Sequence, residues 1–128
     1  MATWSDMSRE ARSAAFELVE GGRVRSALSR AYYALFSALT GRLVAEGVQM
    51  PVDQEGPSHR KLCDGNLIAN NLKGLDPRTR GRLISIVPNL YRLRIIADYR
   101  PSMSVTPDDV RLALGDMTQA LQILEDAA

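Results

Sequence analysis

Residues 23–46, RVRSALSRAYYALFSALTGRLVAE, constrain the fold more than any other stretch of the chain. Val24, Ala27, Leu28, Ala31, Tyr32, Leu35, Phe36, Ala38, Leu39 and Leu43 recur at helical spacing and cover more than half of a helix circumference. A helix that is apolar on so many sides needs neighbours on several sides, so it belongs in the middle of a bundle. Its remaining narrow face carries Arg23, Ser26, Arg30, Tyr33, Ser37 and Gly41, which either line a cleft or meet a second subunit.

The other segments read as helices around this one. A first helix is expected from about Ser5 to Glu20, stopped by Gly21-Gly22, whose backbone freedom suits a C-cap. The stretch GVQMPVDQEGP, residues 47–57, has no hydrophobic period and forms the longest loop. Ser58 then caps a third helix running to about Leu72 and closed by Lys73-Gly74. Asp76-Pro77 starts a fourth helix to about Tyr99, with Pro88 expected to kink it. Thr106-Pro107-Asp108-Asp109 opens a fifth, with Val110, Leu114, Met117, Leu121 and Leu124 in register. The expected fold is all-α, one domain over residues 1–128, a bundle of about five helices, mostly up-and-down with short turns.

At 128 residues the chain is long enough to bury a core without a disulfide or a metal. No apolar run approaches the roughly 18 residues of a membrane span, and no secretory signal is visible. With one cysteine, Cys63, an internal disulfide is impossible, which fits a cytoplasmic location. The net charge of +1 hides an uneven distribution. Residues 58–105 carry nine Arg and Lys against Asp64, Asp76 and Asp98, while residues 106–128 carry a net −4. The basic middle either binds phosphate or pairs with the acidic last helix.

The chemistry is bounded first by missing parts. There is no CxxC, HExxH, G-x-S-x-G or Walker-type glycine loop, so no metal and no cofactor is expected. The single histidine, His59, stands at the start of the third helix, in a capping or a site role. Arg94 falls in the stripe made by Leu83, Val87, Leu90 and Ala97. A guanidinium aimed at an apolar face must find an anion, either Asp98 one turn on or a phosphate or partner carboxylate. Tyr91 lies on the same side.

GRVRSALSRAYYALFSAL, then SHRKL after the loop, then LYRLRIIADY, resemble the small single-domain group of HEPN-domain proteins. The resemblance spans about residues 20–100 and implies a helical bundle that usually dimerises, found in ribonuclease toxins, in partners of minimal nucleotidyltransferases and in defence systems. It carries Arg30, Tyr32 and Tyr33 into the R-A-Y-Y motif, His59 into the histidine after the loop, and Arg94, Asp98 and Tyr99 into R-x-x-A-D-Y. One departure matters. Ribonuclease members carry arginine followed four to six residues later by histidine, whereas Tyr99 stands five residues after Arg94 and no histidine follows.

Metal-independent RNA cleavage needs an acid and a base tuned toward working pH, and a tyrosine near pKa 10 is poorly placed for either. An arginine still binds phosphate. The expected function is therefore RNA or nucleotide binding through Arg94, Asp98, Tyr99, Arg30 and Tyr33, in a toxin-antitoxin or defence system. The alternatives are a divergent RNA endonuclease using Arg94, Tyr99 and His59, and a protein-interaction partner of a nucleotidyltransferase. A homodimer seamed along the second and fourth helices is expected, with no membrane association.

Overall fold

The computed structural model describes residues 1–127. Six helices follow in order: α1 Trp4–Glu20, α2 Val24–Ala45, α3 His59–Cys63, α4 Asn66–Asn71, α5 Pro77–Tyr99 and α6 Pro107–Asp126. No strand occurs among the described residues. None of these helices is long and apolar enough to cross a membrane.

Four of the six helix starts, those of α1, α3, α5 and α6, are capped by short polar side chains. Thr3 accepts from the Asp6 amide at 3.0 Å while the Asp6 carboxylate accepts from the Thr3 amide at 3.0 Å, a reciprocal capping box. Thr106 and Asp109 repeat it at the start of α6. Asp76 caps α5 through the Thr79 amide, with Pro77 in the first turn, where its missing N–H leaves no bond unmade. α5 continues through Pro88 to Tyr99.

The expected third helix is two. The chain breaks after Cys63, and Gly65 adopts a left-handed φ of +83° before α4 begins. A Cβ at Gly65 would lie 2.8 Å from Ile84 Cγ2, so the break lets the chain approach α5 more closely than any side chain allows.

α2 is the centre of the bundle, packed against α1, α5 and α6. Leu28, Tyr32, Leu35, Leu39 and Leu43 are fully enclosed, each worth about 1.5–3 kcal/mol of hydrophobic transfer for the leucines. The narrow polar face of α2 is not wholly free, as its pattern had suggested. Ser37 is buried, and a Cβ on Gly41 would stand 3.0 Å from Trp4 Cβ, so α1 covers the lower half of that face.

Arginines tie the helices together. Arg25 of α2 donates to the carbonyls of Ile96, Ala97 and Arg100 at 3.0, 3.2 and 3.3 Å, and to that of Met103. Arg82 of α5 meets Asp116 at 3.0 Å and Gln119 at 2.9 Å on α6. The basic middle therefore spends part of its charge on the acidic last helix.

Candidate functional site

Where α2, α3 and α5 converge, four rings collect around His59. Tyr32, Tyr33 and Phe36 come from α2, one side of the helix seen at i, i+1 and i+4. Tyr91 comes from α5 and stacks on the imidazole at 5.4 Å and 19°. Phe36 is the nearest ring, at 4.9 Å. Ser58 holds the first turn of α3 by accepting from the Lys61 amide at 3.2 Å, which fixes where His59 enters.

The Tyr32 hydroxyl lies 2.7 Å from His59 Nδ1. Tyr32 is fully buried, and burial drives its phenol far above the ordinary value, so it stays protonated at any working pH. His59 is held below its usual value, first by burial and then by the nearby Arg94 charge. Its imidazole is neutral at pH 7.

Arg94 completes the constellation from the next turn of α5. Its Cζ sits 5.2 Å from the ring centroids of both Tyr33 and Tyr99, so the guanidinium is lodged between two aromatic rings. Nε lies 2.9 Å from Asp98 Oδ2, and Nη2 donates to the Tyr99 hydroxyl at 3.4 Å. The ion pair is close but misaligned, because the buried Nε–H does not point along the line to the carboxylate. Asp98 in turn accepts from Ser29 Oγ of α2 at 3.1 Å. The Arg94 side chain is only 13% exposed, whereas Tyr99 is 65% exposed. Nη1 makes no hydrogen bond among the described residues and keeps contact with solvent.

Of the residues singled out in the sequence, Arg94, Asp98, Tyr99, Tyr33 and His59 are brought together, with Tyr33 as the bridge. Its ring centroid is 6.0 Å from that of His59 on one side and 5.2 Å from Arg94 Cζ on the other. Arg30 is on another surface, an open groove of about 710 Å³ along α1, shared with Arg23, Glu10 and Glu17. That groove is open, and no hydrogen bond or ion pair among the described residues joins its arginines to its glutamates. The side chains of the aromatic cluster are, by contrast, joined by hydrogen bonds and an ion pair.

Sequence reasoning missed the Tyr32–His59 bond and the Ser29–Asp98 bond. Ser29 and Tyr33 lie one turn apart on α2, and that register was the available signal. Among the described residues no group of three or more His, Cys, Asp and Glu is clustered as metal ligands. What the arrangement offers is a fixed cation, a neutral imidazole and an exposed aromatic face. A family model for the HEPN domain matches residues 1–127, essentially the whole chain. No curated protein matches it.

Proposed function

The chain belongs to the HEPN family, and from that premise we propose that it binds RNA or a nucleotide at the α2–α5 surface, as a component of a toxin-antitoxin or defence system in the cytoplasm. The observation that carries this reading is the guanidinium of Arg94, lodged between Tyr33 and Tyr99 with Nη1 unpartnered among the described residues. Asp98 restrains the inner edge of the fork, and the outer edge remains for a phosphate oxygen. The exposed ring of Tyr99 supplies a face on which a base stacks. In this reading Asp98 and Ser29 orient Arg94, while Arg30 contributes at most a separate phosphate contact.

Two copies are proposed to pair two-fold along the uncovered parts of α2 and α5, setting two Arg94 sites on one assembly. The test uses purified full-length protein. Fluorescence anisotropy with labelled RNA oligonucleotides at low salt should show binding that weakens about tenfold or more in Arg94→Ala, the scale of a lost charge-assisted contact. Full affinity in a folded Arg94→Ala would sink the proposal. Defined cleavage of total RNA by the wild type, lost in Arg94→Ala and His59→Ala, would instead favour a divergent endonuclease. Capture of a nucleotidyltransferase without RNA affinity would favour an interaction module.

A further inference from the structure

His59 is the one nitrogen-bearing ring of the aromatic cluster, and one of its two ring nitrogens has no hydrogen-bond partner among the described residues. Its Nδ1 is 2.7 Å from the buried hydroxyl of Tyr32, and no other hydrogen-bond partner of that hydroxyl exists among the described residues. If Nδ1 carried the hydrogen, the tyrosine oxygen would accept and its own hydrogen would be buried without an acceptor. With the hydroxyl donating to Nδ1, both groups are satisfied. A ring holding one hydrogen then carries it on Nε2, on the edge turned away from the buried hydroxyl. Nε2 makes no hydrogen bond among the described residues and is not enclosed.

This is the reverse of the arrangement that makes histidine a base. There a carboxylate receives Nδ1–H and leaves Nε2 with a basic lone pair. The groups packed against His59 are Tyr32, Tyr33 and Phe36 from α2 and Tyr91 from α5, with the Arg94 cation close by. The one charge acting on the ring is of like sign to the imidazolium, and no carboxylate offsets it. We infer that Tyr32 locks His59 as the Nε2–H tautomer, and that this N–H donates to a phosphate oxygen of the ligand on the opposite side of Tyr33 from Arg94. His59 is thereby a phosphate-orienting donor and not the missing acid or base of the Arg-His motif. The ligand half of this inference rests on the proposed function, while the tautomer half stands without it.

With one histidine in the chain, the experiment reads a single ring. Long-range nitrogen-proton correlation spectra of the 15N-labelled full chain should show Nε2 protonated and Nδ1 unprotonated from pH 7 to 8, and Tyr32→Phe should relax the ring to mixed tautomers. Two probes separate the phosphate sources, ATP and a 2′-O-methylated uridine hexanucleotide. The one that binds should shift the His59 Nε2 and Arg94 side-chain signals together. His59→Gln, whose amide retains a donor at the Nε2 position, should hold affinity within about threefold, and His59→Ala should lose about tenfold. An Nδ1–H tautomer in the free wild type overturns the inference whatever the variants do. Movement of Arg94 with His59 silent overturns its ligand half and leaves the proposed function standing. Gln losing as much as Ala overturns the donor role. No movement at either residue with either probe overturns the ligand half and the proposed function together.

Discussion

Ser29 donates to Asp98 across 3.1 Å, so the carboxylate that pairs with Arg94 on α5 is itself fixed from α2. The position of the guanidinium is thus set by two helices. Its charge is balanced on one side only.

Arg94→Lys should keep the fold and weaken RNA or nucleotide binding about tenfold, because lysine retains the charge and loses the planar fork and its stacking on Tyr33 and Tyr99. Anisotropy titrations at two salt concentrations check it. A double-mutant cycle between Arg94→Ala and Asp98→Ala, followed by urea unfolding, should give a coupling of about 1 kcal/mol, modest because the pair is misaligned and partly solvated.

His59 gives stability a pH dependence of defined sign. Burial, and then Arg94, hold the folded imidazole below its ordinary 6.5. Between the folded and unfolded values the unfolded chain takes up a proton that the folded chain refuses. Stability is therefore fully present above about pH 6.5 and falls as acid is added, until the folded ring also protonates. Urea midpoints from pH 8 to pH 5 should decline in the wild type and stay flatter in His59→Gln.

Gly65→Ala should destabilise the chain by about 1–3 kcal/mol in urea unfolding, from the left-handed φ of +83° together with the approach to Ile84. Gly74→Ala, where a Cβ meets nothing within 4 Å, is the matched control and should change stability little.

Thr40 is fully buried on α2, and its hydroxyl has no hydrogen-bond partner among the described residues. Thr40→Val removes an unsatisfied donor while nearly conserving shape, so the melting temperature should hold or rise, with a gain of up to about 1 kcal/mol. A fall of several degrees would mean that the hydroxyl has a partner.

The Cys63 thiol is pushed up to about 11, by burial and then by Asp64 beside it. Thiolate is scarce at pH 8, and a disulfide reagent should label native protein far more slowly than urea-unfolded protein.

The bundle was legible because its signals are local and redundant. The apolar arc of α2 and the Asp76-Pro77 and Thr106-Pro107 starts each mark an element on their own. The break at Gly65 was not legible, since its cause is Ile84, nineteen residues away on another helix. Arg94, Asp98 and Tyr99 lie within about a turn and a half of one helix and could be grouped from spacing alone. The Tyr32–His59 contact joins helices separated by the long loop, and the Ser29–Asp98 contact joins helices with two further helices between them; no periodicity reports such pairs. Arg30 shows the converse: one residue from Tyr32's neighbour Ala31 in the chain, it emerges on a different surface because each step around a helix turns about 100°.

Arg25 donates, from a neighbouring helix, to the carbonyls of Ile96 and Ala97 in the last turn of α5 and of Arg100 and Met103 just beyond it. A final turn ordinarily frays, its amides trading hydrogen for deuterium almost as freely as a loop. Here the turn bearing Asp98 and Tyr99 is stapled from outside, and its exchange should follow the slow clock of the interior, so that the segment carrying the proposed site opens only when α2 itself lets go.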